Sequence, residues 1–377
     1  MSPRPINSRA NMDSAQDIIA GDLAYMLDRA SGSFARMAGK RLLITGGAGF
    51  LGYYLVKLVL YHNEQAAGDQ RIALTVWDNY IRGVPEWLAG LADVPGLTLA
   101  KHDITHPLPE DMGGFEYIIH AASIASPLYY RKYPIETMDA NVNGLRSLLE
   151  YCRSEPAVEG FLFYSTSEIY GDPTPENIPT PETYRGLVSC TGARACYDES
   201  KRYGETLCVN FAEQYKVPVK IARPFNNYGP GLKITDKRVL PDFARNVLNG
   251  ENIVMFSDGS PTRTFCYIAD AIVGYYKILT HGEAGEPYNI GVEDPEISIA
   301  TLAEKIVALG RDLFGYEGEV IREVNEDQHY LSDNPNRRCP VITKAREALD
   351  YEPEVAVDDG LRRTMIWYRE NMEAAEA

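Results

Sequence analysis

A glycine-rich turn between a strand-like run and a helical run constrains the fold of this chain more than any other feature. Residues 41–45 are strand-like, residues 53–61 form an apolar helical run, and Gly46, Gly49 and Gly52 lie in the turn. Gly46 permits a tight turn, Gly49 lets the backbone approach a pyrophosphate, and Gly52 lets the helix pack closely on the sheet. The pattern therefore predicts the first strand, turn and helix of a dinucleotide-binding fold.

The end of the next strand indicates which dinucleotide would bind. Residues 72–77 are strand-like and are followed by Asp78, whose carboxylate can accept hydrogen bonds from the ribose hydroxyls and would repel a 2′-phosphate. The sequence therefore predicts NAD rather than NADP. The interval from Gly46 to Asp78 exceeds the usual spacing of about 20 residues, and a loop insertion at residues 66–70 explains the difference.

Strand-like runs alternate with helix-length segments through the next part of the chain. The runs lie at residues 97–100, 117–120, 161–164 and 219–222, with long helices predicted at 135–152 and 197–215. This alternation predicts an α/β fold with a Rossmann-type, doubly wound parallel sheet. The carboxyl ends of the strands share one cleft in such a sheet, where Asp103, residues 121–123 and residues 165–168 would meet.

The regular alternation fades after residues 223–231, a stretch rich in proline and glycine. The sequence therefore predicts an N-terminal extension (1–38), an NAD-binding domain (39–225) and a smaller, mainly substrate-binding domain (226–377). Residues 1–11 look disordered, and residues 13–30 are predicted to form an amphipathic helix behind an Asp13 or Ser14 cap. The last part is predicted to contain helices at 239–249, 269–280 and 299–313 and a strand at 252–256.

Composition and charge disfavour several classes of partner and site. A net charge of -16 and a pI of about 4.9 argue against a nucleic-acid or anionic-membrane partner, and no apolar run approaches the roughly 20 residues that span a bilayer. The six cysteines form no C-x-x-C pair, and Pro107 disfavours a helix through the histidine pair His102 and His106, so we expect no metal. Reduced thiols and the lack of a recognisable leader predict a cytoplasmic location.

Tyr197 and Lys201 are the first candidate catalytic pair. They lie four residues apart in a helix-compatible segment and would share one helix face. A free tyrosine has a pKa of roughly 10, so its use as a base near pH 7 needs about 4 kcal/mol of stabilisation of the phenolate. A lysine charge at about 4 Å contributes that much at an effective dielectric constant of about 20. Tyr197 is therefore predicted to take a proton from a substrate alcohol, and an exposed helical pair without function is the alternative interpretation.

Taken together, these residues resemble the extended short-chain dehydrogenase/reductase family, and within it the NAD-dependent nucleotide-sugar epimerase/dehydratase group. The similarity covers residues 40–370 and looks most like the UDP-glucuronate decarboxylases at residues 102–108, 125–127, 165–173, 194–202, 258–267 and 337–345. Residues 123–125, Pro224 and residues 231–232 depart from that pattern. The resemblance implies bound NAD, a nucleotide-sugar substrate that is UDP-linked, and a homodimer built from the helices at 135–152 and 197–215.

The resemblance also implies roles for individual residues. The implied catalytic residues are Thr166, Ser167, Glu168, Tyr197 and Lys201. The implied cofactor-binding residues are Gly46, Gly49, Phe50, Leu51, Gly52, Asp78, Asn79, Asp103, Ile104, Ala121, Ala122, Asn141, Tyr197, Lys201 and Pro224. The implied substrate-binding residues are Ser126, Glu168, Asn226, Phe256, Arg263 and Arg338, with Asn226 near the diphosphate, Phe256 against the base and Arg263 as a charge partner.

This resemblance predicts a redox-neutral reaction through a 4-keto sugar. Tyr197 would remove the C4 hydroxyl proton with the help of Lys201 and Thr166, and NAD would hold the C4 hydride. Decarboxylation of UDP-glucuronate to UDP-xylose ranks above a 4,6-dehydratase reaction because Ser167 stands where a dehydratase would carry an acid. A 4-epimerase ranks third, and a nucleotide-binding scaffold without turnover is the alternative from another functional class.

Overall fold

The structure is a computed structural model that describes residues 12–110, 112–323 and 335–372. The predicted disorder of residues 1–11 lies outside the described residues. No helix in the described part of the chain is long and apolar enough to cross a membrane.

The described helices and strands follow one another in the alternating order that the sequence predicts. The helices are α1 (Ala15–Arg29), α2 (Ser31–Met37), α3 (Phe50–Gln65), α4 (Glu86–Ala89), α5 (Pro127–Lys132), α6 (Pro134–Asp139), α7 (Leu145–Ser154), α8 (Ala195–Tyr215), α9 (Val239–Leu248), α10 (Ile268–His281), α11 (Ile299–Phe314), α12 (Thr343–Leu349) and α13 (Val357–Glu370). The strands are β1 (Arg41–Thr45), β2 (Ala73–Asp78), β3 (Leu97–Lys101), β4 (Tyr117–His120), β5 (Gly160–Tyr164), β6 (Val219–Pro224), β7 (Asn227–Tyr228), β8 (Ile253–Met255), β9 (Thr262–Arg263), β10 (Cys266–Tyr267), β11 (Pro287–Ile290), β12 (Ile297–Ser298), β13 (Val320–Arg322) and β14 (Arg337–Arg338).

A seven-stranded parallel sheet organises the molecule, in the order β11-β6-β5-β4-β1-β2-β3. Its strands are buried on both faces, since Leu42 and Ile44 of β1 belong to one apolar core and Leu43 belongs to the other. Helices α3 and α10 cover the first face, and α7 and α8 cover the second. The strand order reverses beside β1, which creates a crevice at the carboxyl ends of β1 and β4. The predicted fold class is confirmed.

The long helix predicted at residues 135–152 is present but interrupted. Helices α6 and α7 are joined by a π-helical turn at Ala140–Gly144. A Cβ atom on Gly144 would lie 2.8 Å from the Ile104 side chain, so this turn packs closely under the loop that follows β3. Such turns insert one residue into a helix and are frequent at functional sites.

The chain returns to the main sheet after residue 226. Strand β11 pairs with β6, and α10 packs against the sheet. The other late strands form three small sheets beside it, namely β10-β7, β12-β9-β14 and β13-β8. The boundaries at 38/39 and 225/226 stay predictions.

The predicted N-terminal helix is confirmed as α1, and its cap is Ser14, whose side chain accepts a hydrogen bond from the Asp17 N–H. The helix packs on α3, α10 and α13. Its fully buried Asp22 accepts hydrogen bonds from Tyr267 at 2.6 Å and Arg363 at 2.8 Å, and from Tyr54. The extension is therefore tied into the core by a buried carboxylate.

Candidate functional site

The carboxyl ends of the main strands open into a cavity of about 1040 Å³. This volume lies at the upper end of the range of about 300–1,000 Å³ for small-molecule pockets. The predicted site residues that line it are Gly46, Gly49, Phe50, Leu51, Asp78, Asn79, Asp103, Ile104, Ala121, Ala122, Ser126, Thr166, Ser167, Glu168, Tyr197, Lys201, Pro224, Asn226, Phe256, Arg263 and Arg338. Gly52 and Asn141 do not line it. The individual roles of these residues stay predictions.

The glycine turn has the geometry that close backbone approach requires. Gly46 has a φ angle of 74°, and a Cβ atom there would lie 2.5 Å from the Ala122 backbone. A Cβ atom on Gly52 would lie 2.0 Å from the Gly47 carbonyl oxygen, so Gly52 serves the packing of α3 beneath the turn. Helix α3 begins at Phe50 without a side-chain cap, at the edge of the cavity. This arrangement fits a dinucleotide pyrophosphate at the helix N-terminus.

Asp78 links the end of β2 to the glycine turn. Its Oδ2 accepts a hydrogen bond from the Ala48 N–H at 3.0 Å, and its Oδ1 accepts one from the Tyr80 N–H at 2.8 Å. Burial raises the pKa of Asp78, although these two donors oppose the shift. Each carboxylate oxygen has a further lone pair with which it can accept a ribose hydroxyl, so the donors do not prevent ribose binding.

Helix α8 brings Tyr197 and Lys201 to the base of the cavity. The Tyr197 ring is 7% exposed and stacks on Tyr130, with ring centroids 5.1 Å apart. Lys201 Nζ donates a hydrogen bond to the Tyr164 carbonyl oxygen at 2.7 Å and lies 5.8 Å from the centre of the Tyr197 ring. The two functional groups are therefore on one helix face, as the spacing predicts.

The sequence predicts that the charge of Lys201 lowers the pKa of Tyr197. Without a bound cofactor, this pKa is raised instead. Burial raises the pKa of Tyr197 to about 12, and a hydrogen bond with Thr166 opposes the rise without cancelling it. Burial also lowers the pKa of Lys201 to about 7. Both shifts have the same physical reason, since removal from water disfavours the charged form of each group.

Asn141 lies behind α8 rather than in the cavity. It sits in the π-helical turn and donates a hydrogen bond from Nδ2 to the Ser200 Oγ at 2.9 Å. The Ser200 hydroxyl in turn contacts the Tyr197 carbonyl oxygen at 3.0 Å. Asn141 thus lies outside the cavity with its side chain bonded to α8, and its role as a cofactor contact stays a prediction.

Glu168 lies in a largely buried charge cluster. Its two carboxylate oxygens accept hydrogen bonds from Nη1 and Nη2 of Arg338, each at 2.5 Å, and Oε2 also pairs with Arg194. Arg194 pairs in addition with Asp198, at 3.6 Å. Burial would raise the pKa of Glu168, but Arg194 and Arg338 outweigh it and hold the pKa at about 2. Glu168 is therefore a carboxylate near neutral pH.

Arg263, Asn226 and Phe256 line the same cavity. Arg263 donates hydrogen bonds to the carbonyl oxygens of Thr262 at 2.7 Å and Pro335 at 2.5 Å. Burial and the neighbouring Arg338 lower its pKa to about 9. The cluster around Glu168 thus contains three guanidinium groups, and those of Arg338 and Arg194 both repel Arg263.

Sequence reasoning assigned no role to several residues of the cavity. Arg194 belongs to the recognised 194–202 stretch, and its spacing of four from Asp198 was a usable signal of an ion pair. No local sequence pattern indicates a second group of charged residues. Arg82 and Arg238 both pair with the buried Asp236, at 3.2 and 2.9 Å. These residues are distant in the chain, and the net charge of -16 conceals the basic residues at this wall.

Comparison with known proteins identifies the family. The sequence model of the NAD dependent epimerase/dehydratase family matches residues 42–291. The chain belongs to this family. The family match contains the glycine turn, Glu168, Tyr197 and Lys201, but it begins after α1 and ends before Arg338.

Two relatives in this family have a closely related sequence along most of their length. UDP-glucuronic acid decarboxylase 5 of Arabidopsis thaliana is 36% identical over 321 residues, which cover 85% of this chain and 87% of that protein. UDP-glucuronic acid decarboxylase 1 of Xenopus tropicalis is 36% identical over 338 residues, which cover 89% of this chain and 73% of that protein. The similarity of this chain to proteins named UDP-glucuronic acid decarboxylases therefore extends well beyond residues 42–291, which the family model matches.

Solved structures of other proteins share the fold. The dTDP-glucose 4,6-dehydratase DesIV of Streptomyces venezuelae, which has NAD bound, superposes with a TM-score of 0.76 at 26% identity, over 88% of this chain and 98% of that one. The UDP-glucose 4-epimerase of Thermotoga maritima superposes with a TM-score of 0.75 at 24% identity, over 88% and 99%. The architecture is thus shared with solved proteins that have different names.

Proposed function

We propose that this chain is an NAD-dependent nucleotide-sugar decarboxylase that converts UDP-glucuronate to UDP-xylose through a 4-keto intermediate. The observation that carries this proposal is the buried cluster in which Arg338 and Arg194 face Glu168 beside Tyr197. Guanidinium groups are suited to a carboxylate, which they can bind through two parallel hydrogen bonds. The similarity to proteins named UDP-glucuronic acid decarboxylases supports the same substrate.

The first step is oxidation at C4, in which Tyr197 takes the hydroxyl proton. Its hydrogen bond with Thr166 orients the phenol, and the stack on Tyr130 fixes the plane of the ring. Bound NAD would accept the C4 hydride and return it at the end, and its positive nicotinamide ring would favour the Tyr197 phenolate. Lys201, held by the Tyr164 carbonyl, supplies a donor behind the phenol.

The second step is loss of carbon dioxide from the 4-keto acid. The ketone is β to the carboxylate, so the electrons of the C5–C6 bond move onto the C4 oxygen and form an enolate. Arg338 holds the carboxylate before the bond breaks, and the Tyr197 and Thr166 hydroxyls stabilise the enolate oxygen. The enolate then takes up a new proton at C5, with Ser167 and Glu168 positioning the water that delivers it, and the C4 ketone forms again.

A 4,6-dehydratase is the second candidate because a dehydratase of the family shares this fold. Expulsion of a C6 hydroxyl needs an acid next to Glu168, and Ser167 occupies that position. A 4-epimerase needs neither charged residue, and a binding scaffold would not need the buried pair of Tyr197 and Lys201. These alternatives rank below the decarboxylase for those reasons.

The deciding experiment incubates the purified protein and NAD with UDP-glucuronate and follows carbon dioxide and the product mass. Decarboxylation predicts one carbon dioxide per UDP-pentose formed. Loss of water from UDP-glucose or another neutral hexose would support the dehydratase. NAD binding without turnover of any acid, hexose or 4-keto nucleotide-sugar would support the scaffold.

We also propose a homodimer that uses the helices at residues 135–152 and 197–215. Ile135 and Tyr203 on these segments are 59% and 49% exposed and would offer apolar surface to a partner subunit. A dimer would have twice the chain mass of 42.0 kDa in solution, and a monomeric mass would contradict the proposal. A cytoplasmic location stays a prediction.

A further inference from the structure

We propose that Arg194 is a positioning residue that retains the Glu168 carboxylate when Arg338 exchanges it for the carboxylate of the substrate. This inference rests on the proposed function. It concerns a residue that the decarboxylation scheme does not use, and it follows from the way in which two arginines share one buried acid.

The contacts of Glu168 are unequal. Arg338 donates a hydrogen bond to each carboxylate oxygen, whereas the contact of Arg194 given by the structure is its ion pair with Oε2. The side chains of Glu168, Arg194 and Arg338 are 18%, 13% and 9% exposed, so water screens these charges little. If Arg338 turned to another anion without Arg194 in place, a buried carboxylate would lose its counter-charge, which is strongly unfavourable. Arg194 would keep the Glu168 carboxylate paired with a cation while Arg338 binds the other anion.

The two arginines come from different parts of the fold. Arg194 immediately precedes α8, three residues before Tyr197, and its second partner Asp198 lies on that helix. Arg338 comes from β14 at the opposite wall, and its side-chain hydrogen bonds within the described residues both go to Glu168. Arg194 is therefore held from two sides, whereas Arg338 has one carboxylate to release.

Most of the charged groups that face Glu168 are cations. They are the guanidinium groups of Arg194, Arg338 and Arg263 and the Asp198 carboxyl, with the neutral phenols of Tyr130 and Tyr197 beside them. Burial and the neighbouring Glu168 raise the pKa of Asp198 to about 7. Arg263 has a further charge partner in Asp172. A substrate carboxylate would take the place of Glu168 on Arg338, whereas a neutral sugar would leave the pair of Glu168 and Arg338 intact.

The exchange predicts that Arg194 matters more for an acidic ligand than for a neutral one. In Arg194→Gln, the ion pair of Glu168 with Arg194 is lost and its pair with Arg338 remains. When Arg338 then binds the carboxylate of UDP-glucuronate, Glu168 would lose this second ion pair as well. We expect the KM for UDP-glucuronate to rise at least 10-fold and kcat to fall, while the Ki of UDP-glucose as a competitive inhibitor changes less than 3-fold. The acid limb of the kcat/KM profile should move to higher pH, because Glu168 would lose one of the two cations that keep it ionised.

Two further variants test the geometry. Arg194→Lys keeps a charge for Glu168 but lacks the planar guanidinium group that matches a carboxylate, so its KM increase should fall between wild type and Arg194→Gln. Asp198→Asn keeps the contact of Arg194 with Glu168, and its KM for UDP-glucuronate should stay within 3-fold of wild type. Arg194→Lys also serves if Arg194→Gln does not fold.

The wild type separates failure of the inference from failure of the proposed function. If wild type releases no carbon dioxide from UDP-glucuronate, the decarboxylase proposal fails and this inference fails with it. If wild type is active and Arg194→Lys changes neither constant, or changes KM and Ki by the same factor, the exchange is wrong while the decarboxylase proposal stands. A selective loss of UDP-glucuronate binding supports the exchange.

Discussion

Glu168 and Arg338 lie 170 residues apart in the chain, yet they face each other through two parallel contacts of 2.5 Å across the cavity. Glu168 follows the central strand β5, and Arg338 lies on β14 of a small peripheral sheet. The pair therefore connects the nucleotide-binding crevice to the wall that the late part of the chain builds. It also places a guanidinium group beside Tyr197, where a sugar acid would react.

Removal of the Tyr197 hydroxyl tests the proposed base. Tyr197→Phe keeps the ring that stacks on Tyr130 and loses only the oxygen that takes the C4 proton. We expect kcat to fall by roughly 10²- to 10⁴-fold, the usual contribution of a general base, with NAD affinity within a few-fold of wild type. Carbon dioxide release and NAD titration measure the two effects. Turnover equal to that of wild type would exclude Tyr197 as the base.

The buried ion pair should contribute to stability as well as to binding. Glu168→Gln leaves the guanidinium groups of Arg194 and Arg338 without their carboxylate, and breaking such a pair costs about 3–5 kcal/mol. Arg337→Gln is the matched control: the neighbouring Arg337 pairs with Glu296 and is 44% exposed, so we expect a cost below about 1 kcal/mol. Denaturant unfolding at pH 7 measures both variants. Equal losses of unfolding free energy in the two variants would mean that burial does not strengthen the ion pairs of Glu168.

Asp78 should select the cofactor. Asp78→Asn removes the negative charge that would repel a 2′-phosphate and weakens the acceptor offered to the ribose hydroxyls. Hydrogen bonds to charged groups contribute about 1.5–3 kcal/mol, so NAD affinity should fall by roughly 10- to 100-fold, while the preference for NAD over NADP narrows. Calorimetric titration with both dinucleotides measures the change. An unchanged preference would argue against the assignment of Asp78.

Acid should destabilise the protein through His120. Burial, with the nearby Lys201, lowers the pKa of His120 to about 3 from the model-compound value of 6.5. The unfolded chain then binds more protons between these values, so stability falls as pH decreases from 6.5 toward 3, and this group accounts for about 2 kcal/mol between pH 7 and pH 5. Comparison of denaturant unfolding at the two pH values for wild type, His120→Gln and the exposed His106→Gln tests this. Only His120→Gln should reduce the pH dependence.

Asp22 should anchor the N-terminal extension. Asp22→Ala removes the acceptor shared by Tyr54, Tyr267 and Arg363, and loss of one partner of a buried pair costs about 3–5 kcal/mol. Asp28→Ala on the same helix removes an exposed carboxylate, and we expect a change within about 0.5 kcal/mol. Thermal unfolding measures both. A small effect of Asp22→Ala would mean that α1 is not integral to the folded core.

Local sequence patterns predicted the main elements well because their causes are local. Strand β4 lies at the predicted positions because four apolar or aromatic residues follow a turn, and the glycine turn forms because Gly46 accepts a positive φ. Helix α3 begins at Phe50, three residues before the predicted start. The π-helical turn at Ala140–Gly144 escaped prediction because its hydrogen-bond register depends on packing against the Ile104 loop.

The chemistry of the cavity depends on contacts that no local pattern contains. The spacing of Tyr197 and Lys201 predicts a shared helix face, but their protonation depends on burial, and burial depends on the strands and helices that cover them. Arg338 and Arg194 reach Glu168 from other parts of the chain. The strength of their attraction to Glu168 depends on the exclusion of water from the cluster. The Rossmann-type framework follows from periodicity, glycine conformation and turn chemistry, which depend on neighbouring residues. Ion pairing and pKa values depend instead on distances and desolvation, which arise only when the chain has folded.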